Sequence, residues 1–193
     1  VSFVLPFYNA ECTLARTIES VMGAGLADFE IHCINDGSTD RSLEIVEYWS
    51  SRCKAIKAVN IENNLGVSNA RNTGLRLATK EFVCFIDSDD LLGPRFFNDM
   101  DISCDVAIGG HTILNGLEAI NGFDFGMRGI LDRSETESLI RSYLSEPKGN
   151  SIITHCWGKL YNRAFLCKYN IKFDTSISIY EDIKFVATCL SQA

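Results

Sequence analysis

No apolar run in this 193-residue chain approaches the roughly 18–20 residues that a helix needs to cross a bilayer. The first residues also lack the succession of basic, apolar and small residues that marks a signal peptide. Basic residues are outnumbered: Lys and Arg total 18 against 25 Asp and Glu, a formal charge of −7 and a pI of about 5.0. That balance argues against a nucleic-acid-binding surface, which would show a basic stripe. Histidine is limited to His32, His111 and His155, without the H-E-x-x-H spacing of a zinc site. The 8 cysteines include no C-x-x-C pair. Glycine is missing between Pro6 and Thr13. This excludes the G-x-G-x-x-G turn of dinucleotide-dependent oxidoreductases and weighs against the glycine-rich phosphate loop of nucleotidyltransferases. There is no internal repeat and no low-complexity tract.

The hydrophobic fraction of 46% and charged fraction of 22% are those of an ordinary globular protein. The length suits one sizeable α/β domain over 1–193 and is tight for two. Val1 already lies inside an apolar run, and the helical pattern from Glu181 to Ala193 stops without a cap. The expectation is therefore a piece of a longer protein, with room for a membrane anchor or second domain beyond Ala193. Cys33 and Cys84 sit in apolar runs, where a free thiol behaves as a small hydrophobe. With nothing marking secretion, the cysteines are expected to be reduced, in a cytoplasmic setting.

Short apolar runs alternate with helical patterns through the first half. Ser2–Phe7 reads as a strand stopped by Pro6 and the turn formers around Asn9. Leu14, Ile18, Val21 and Met22 recur at helical spacing, closed by Gly23 and Gly25. Phe29–Ile34 is a second strand, Leu43, Val46 and Trp49 mark a helix capped by Ser38 or Thr39, and Ala55–Ile61 is a third strand. A helix over Val67–Ala78 precedes Phe82–Ile86, a continuous apolar run typical of a strand buried on both faces. In the second half Asp105–Ile108 suggests a strand, Gly109–Gly129 reads as loop, and Ser134-Glu135-Thr136-Glu137 forms a capping box for a helix whose buried face is Leu139, Ile140, Tyr143 and Leu144. The alternation predicts an α/β fold, a parallel sheet with helices on both faces.

Such sheets bind ligands beyond the carboxyl ends of their strands, and polar residues do follow the strands directly. Asp87-Ser88-Asp89-Asp90 presents three acids in four residues. They suit a hard divalent cation shared with a diphosphate, or a solvated turn with Asp90 capping a helix. Asp36, before Gly37-Ser38-Thr39-Asp40, can accept a hydrogen bond from a nucleobase or close an Asx-turn. Gly37 permits a turn and a close backbone approach. Arg71, in a helix opened by small residues, can pair with phosphate, stack on a base, or be an ordinary surface arginine. Glu181 and Asp182 follow Tyr180 at the start of the last helix, either favouring its dipole or serving as a general base. His32 falls within a strand and reads as structural. His111, His155 and the Trp157-Gly158-Lys159-Leu160-Tyr161 segment are candidates for an acceptor pocket or, for the last, a packed corner.

The order of these signals is more specific than any of them alone. Val4-Leu5-Pro6-Phe7-Tyr8-Asn9, Asn35-Asp36-Gly37-Ser38-Thr39-Asp40, Asn64-Leu65-Gly66 through Arg71-Asn72, Asp87-Ser88-Asp89-Asp90 and Glu181-Asp182 together resemble family 2 glycosyltransferases of the GT-A fold, especially bacterial enzymes that build surface polysaccharides. The resemblance implies a GT-A (Rossmann-like), mostly parallel sheet, with 1–100 as the nucleotide-sugar half and 101–193 as the acceptor side. It implies that Pro6, Tyr8 and Asn9 line the nucleotide site, that Asp36 reads the base (most often uracil), and that Arg71 lies near the nucleotide. Asp87 then sits near the ribose, Asp89 on Mn²⁺ or Mg²⁺, and Asp182 acts as catalytic base. The implied activity is inverting transfer of a hexosyl or N-acetylhexosaminyl group from a UDP-sugar donor to a saccharide or other hydroxyl acceptor in cell-envelope polysaccharide synthesis. Peripheral association with the inner face of the membrane would come through a further C-terminal part. The alternative is a non-catalytic sugar-nucleotide-binding module or an inactive fragment. The Q-x-x-R-W motif of processive members is not seen, but it would fall beyond Ala193 and says nothing of processivity.

Overall fold

The computed structural model describes residues 1–94, 96–97, 100–115, 118–123, 130–146 and 152–193. In chain order the elements are strand β1 (Ser2–Phe7), helix α1 (Leu14–Met22), β2 (Glu30–Asp36), α2 (Ser42–Arg52), β3 (Ile56–Ile61), α3 (Val67–Leu77) and β4 (Phe82–Phe85). There follow β5 (Val106–Ile108), β6 (His111–Asn115), β7 (Glu118–Phe123), α4 (Arg133–Ser145), β8 (Lys159–Asn162), α5 (Arg163–Lys168) and α6 (Glu181–Gln192). Six strands form one sheet in the order β3-β2-β1-β4-β8-β5. β3, β2, β1 and β4 are mutually parallel, and β8 runs antiparallel to both of its neighbours. The fold is α/β with a mixed, mostly parallel sheet.

Period-two alternation assigns the buried residues of the central strands to two cores. Phe3, Leu5 and Phe7 of β1 join Phe82, Cys84 and Ile86 on the face covered by Leu14 and Ile18 of α1 and Val46 of α2. Val4, Val83 and Phe85 face the other way, onto Phe165 of α5 and Phe185 of α6. There Phe85 is the hub of an aromatic cluster with Tyr161, Phe173 and Phe185, whose ring centroids lie 5.7, 5.2 and 5.5 Å away. Each such buried ring contributes about 1.5–3 kcal/mol of transfer free energy. α3 lies on the same side and is brought close by Gly74, where a Cβ would sit 2.3 Å from Val4 Cγ1.

Several sequence expectations shift. Pro6 does not stop β1, which continues through Phe7 in register with β2. The Val4 carbonyl accepts from Ile86 N on the β4 side, and alternation turns Pro6 to that same side, so its missing N–H ends the β1–β4 ladder at this point. Neither Ser38 nor Thr39 caps α2; Asp40 Oδ1 instead accepts from Ser42 N at 3.0 Å. The reciprocal capping box of α4 is formed by Asp132 and Glu135, two residues earlier than expected for its first member. Leu144 is 67% exposed, because the helix turns only Leu139, Ile140 and Tyr143 toward the core. Within Gly109–Gly129, expected to be loop, β6 and β7 pair as an antiparallel hairpin with a register shift at Ile113/Leu114; residues 116–117 and 124–129 lie outside the described ones.

The amino-terminal edge of the sheet is tied by Glu30. Its Oε1 accepts from Ser2 Oγ at 2.6 Å, Thr79 N at 2.7 Å and Thr79 Oγ1 at 2.9 Å. His32 Nε2 lies 3.2 Å from the same oxygen. Burial works to raise the Glu30 pKa, but the hydrogen bonds prevail and hold it at about 2, down from 4.5. A folded-state pKa below the unfolded value stabilises the fold above the unfolded pKa, and that stability is lost as pH falls through the folded value. Glu30→Gln should therefore flatten the pH dependence of urea unfolding between about 4.5 and 2, while lowering stability at neutral pH. An unchanged acid limb would show that Glu30 does not carry it.

Candidate active site

The parallel strands β2, β1 and β4 deliver their carboxyl ends to one edge, where a pocket of about 380 Å³ opens. Pro6, Tyr8, Asp36, Arg71, Asp87 and Asp89 all line it. Asp36 is buried at the end of β2, with Oδ1 accepting from Leu65 N at 2.8 Å and Oδ2 from Gly66 N at 2.9 Å. It thereby fixes the loop that leads into α3. Gly37 makes that approach feasible: its φ is +75°, and a Cβ would lie 2.6 Å from Asn64 N. Asp36 closes no Asx-turn, since both of its oxygens face the loop before α3; the turn after β2 is held instead by Asn35, whose Oδ1 accepts from Ser38 N, three residues on, at 3.0 Å.

Asn9, expected on the nucleotide wall, does not line the pocket. At φ +49° it points to the β2–α2 loop, where its Oδ1 accepts from Thr39 N at 2.8 Å and its own N–H donates to Ser38 Oγ at 3.0 Å. It joins two strand-end loops and so shapes the site from behind.

The acidic turn after β4 is held from α1. Thr17 Oγ1 lies 2.9 Å from the Ser88 carbonyl and 2.8 Å from that of Asp90, and Ser20 Oγ accepts from Leu92 N at 3.0 Å. Sequence reasoning missed Thr17; the available signal was a hydroxyl interrupting the apolar face of Leu14, Ile18 and Val21. Asp90 caps no helix among the described residues, and its N–H instead closes a turn to the Asp87 carbonyl at 3.1 Å. Burial, with the charges of Asp87 and Asp89, pushes the Asp90 carboxyl up to about 6.

Arg71 is the centre of the site. Its guanidinium side chain is only 5% exposed. Nη2 donates to Asp87 Oδ1 at 2.8 Å, and Nη1 to Glu181 Oε1 at 3.1 Å and Asp182 Oδ1 at 2.6 Å. It is not the surface arginine of the alternative reading. Its ring-facing side lies 5.3 Å over Phe173, and the next residue, Asn72, grips the Phe173 backbone with two reciprocal bonds of 2.9 Å. Asp182 does not line the pocket but reaches it through Arg71, and its Oδ2 accepts from Cys156 N at 3.2 Å. Glu181 and Asp182 occupy the first turn of α6, which starts at Tyr180 in a left-handed conformation, φ +68°. His155 stacks on Trp157 at 4.6 Å; His32 is buried in β2, as expected.

A divalent cation fits the donor set. Asp89 is exposed, and its carboxylate has no protein partner among the described residues, in a turn where burial and the neighbouring carboxylates raise the pKa of Asp90. Among the described residues no group of three or more His, Cys, Asp or Glu side chains is placed to hold a metal ion by itself. Such an ion would therefore take one or two carboxylates and complete its shell with phosphate oxygens and water, as Mg²⁺ commonly does.

Fold and site together define an α/β domain whose polar residues gather at the carboxyl edge of its parallel strands, where sheets of this kind bind their ligands. The chain belongs to glycosyl transferase family 2, whose model matches residues 2–101. It is 30% identical over 203 residues to the uncharacterized glycosyltransferase EpsJ of Bacillus subtilis, covering 100% of this chain and 56% of EpsJ. It is 26% identical over 201 residues to the poly(ribitol-phosphate) beta-glucosyltransferase of Bacillus spizizenii, covering 100% of this chain and 30% of that protein. The structure of residues 1–349 of S. aureus TarS in complex with UDP-GlcNAc superposes with a TM-score of 0.66 at 25% identity, over 96% of this chain and 51% of that one. The GT-A expectation for the fold is borne out. The chain spans about half the length of EpsJ and of that TarS structure. No helix among the described residues is long and apolar enough to cross a membrane.

Removing the guanidinium should expose how much rests on it. Arg71→Met leaves the largely buried Glu181 and Asp182 beside Asp87 with no cation between them, and breaking a buried pair from one side costs about 3–5 kcal/mol. Urea unfolding should register a loss of that order, and a loss within 0.5 kcal/mol, the rough scale of surface substitutions, would contradict this account.

Proposed function

We propose that this chain is the donor-binding and catalytic part of an inverting, metal-dependent glycosyltransferase. It would move a hexosyl or N-acetylhexosaminyl group from a UDP-sugar to a hydroxyl of a saccharide acceptor in cell-envelope polysaccharide synthesis. The observation that carries this reading is the arrangement around Arg71. One buried guanidinium holds Asp87, on the pocket wall, and Asp182, on α6. A donor-side acid and a candidate base are thus fixed to one rigid group. The TarS complex with UDP-GlcNAc supports the choice of a UDP-sugar, as does a pocket with Asp36 and Asp89 both on its wall.

On this reading Pro6, Tyr8 and Asp36 receive the nucleoside, with Asp36 accepting from a base N–H through lone pairs left by its two backbone bonds. Asp87 lies toward the ribose. Asp89 would hold Mn²⁺ or Mg²⁺, which when bound offsets charge on the departing diphosphate. The acceptor hydroxyl attacks the anomeric carbon from the face opposite the leaving group. The bond from that carbon to the β-phosphate oxygen breaks, and Asp182 takes the hydroxyl proton. One displacement inverts the anomeric centre and leaves no glycosyl-enzyme intermediate. Residues 1–100 supply the donor side and 101–193 the acceptor side. The protein would work in the cytoplasm, at the inner face of the membrane through a further part of the polypeptide.

Titration calorimetry with UDP, with and without Mn²⁺, tests the donor side. Wild type should bind in a metal-dependent way, and Asp89→Ala should weaken that binding roughly tenfold or more, about 1.4 kcal/mol. A folded wild type that ignores UDP would sink the donor assignment. For the base, Asp182→Asn leaves Arg71 paired with Asp87 and Glu181, so the fold should survive. UDP release from a mixture of UDP-glucose, UDP-galactose and UDP-N-acetylglucosamine should then fall by about 10²–10⁴ with UDP affinity nearly unchanged. Turnover at the wild-type rate in this variant would remove Asp182 from the mechanism.

A further inference from the structure

The loop that meets Asp182 is held in an unusual way. Three successive carbonyls, those of His155, Cys156 and Trp157, are each taken by a buried side chain from β8. Lys159 Nζ donates to the His155 carbonyl at 2.6 Å and to that of Trp157 at 3.4 Å. Between them, Tyr161 Oη donates to the Cys156 carbonyl at 3.0 Å. Lys159 is 3% exposed and Tyr161 is fully buried. The middle residue of this trio is the one whose N–H points at Asp182 Oδ2, 3.2 Å away.

A peptide group whose carbonyl is fixed has its neighbouring N–H direction fixed too, because each peptide unit is planar. Tying three carbonyls in a row leaves the 155–157 backbone little freedom to turn the Cys156 N–H elsewhere. A charged amine is a costly choice for this task, since burial pushes the Lys159 pKa down to about 8. An apolar residue would fill the same space without a desolvation penalty, so the lysine is best explained by the carbonyls it holds. Tyr161 also stands in the aromatic cluster, 5.7 Å from Phe85 and 5.3 Å from Phe185, which anchors its hydroxyl to the rigid core.

We infer that Lys159 and Tyr161 are positioning residues for the reaction: they hold the 155–157 backbone so that the Cys156 N–H orients Asp182 from the side opposite Arg71. Asp182 is then gripped on both oxygens, by a guanidinium from α3 on one and a main-chain donor on the other. Its carboxylate plane is fixed, as a base that must meet one hydroxyl requires. This inference rests on the reading of Asp182 as the base.

The test uses the full-length protein. Tyr161→Phe deletes one hydroxyl and keeps the ring in the core, and Lys159→Met keeps an apolar stem there. With ¹⁵N-cysteine labelling, amide exchange at Cys156 should speed up at least several-fold in Tyr161→Phe and in Asp182→Asn, with the other cysteine amides unchanged. With the three UDP-sugars supplied together, Tyr161→Phe should lower kcat for UDP release about tenfold, within the range that base catalysis contributes, while KM and UDP affinity stay put. In the Asp182→Asn background the same substitution should have no further effect, because its route runs through that carboxylate. Lys159→Met should follow the same kinetic pattern. Unchanged Cys156 exchange in Tyr161→Phe, or losses that multiply in the double variant, would overturn the inference while leaving Asp182 as the base. Asp182→Asn at the wild-type rate would instead overturn the base assignment and the inference with it.

Discussion

A single buried guanidinium sets the geometry on which the rest of the site depends. Arg71 comes from a helix packed on the sheet, Asp87 from the end of a central strand, and Glu181 and Asp182 from a helix more than a hundred residues further along the chain. An ion this deeply buried has lost most of its hydration, and only well-placed partners offset that loss. Three carboxylates on two nitrogens do so with a planar, fixed set of donors that lysine lacks. Buried ion pairs are often no more stabilising than apolar residues of equal volume. The contribution of this cluster is then geometric: it fixes where α6 begins relative to the strand ends.

The surrounding fold serves that registration. Gly74 allows α3 to approach Val4 within a distance that any side chain would prevent, which brings Arg71 down into the site. Asn72, one position on, captures the backbone of Phe173, and Phe173 stacks on Phe185 of α6 at 4.0 Å. The same helix thus grips α6 at its first turn by charge and further along by packing. Pro6 contributes by omission, ending the ladder between β1 and β4 at the level where the pocket begins.

The parallel core and its polar strand ends were legible in the sequence because both are local. Runs such as Phe82–Phe85 declare a strand buried on both faces, and acids directly after such a run can only emerge at the sheet's edge. What the sequence hid depends on long-range contact. Nothing about Arg71 in a small-residue helix announces partners 110 and 111 positions away, so a surface arginine is the ordinary reading of that position and the site reading rests on the resemblance. Thr17 looks like a blemish on an amphipathic face until Ser88 and Asp90 arrive to accept from it. The β6–β7 hairpin was masked by its glycines, since a sequence that favours loop by composition can still pair when its two halves meet. The start of α4 was misplaced by two residues because Asp132 and Ser134 are both good caps, and only the backbone decides between them.

The antiparallel β8 has a consequence for the acceptor side. Inserted between β4 and β5, it brings the segment before it, His155 to Gly158, to the same sheet edge at which β4 ends; Trp157 bridges directly to Phe85. A parallel strand there would have delivered its carboxyl end instead, and the preceding loop would lie at the far edge, remote from Asp87. Reversing one strand lets the second half of the chain approach the site from its amino-terminal side, with backbone N–H groups available to carboxylates. Cys156 uses one of them on Asp182. On the proposed reading, donor-side acids leave the parallel strands while the base is steadied by a loop entering the reversed one. The two sides of the reaction are thereby built from opposite chain directions within one sheet.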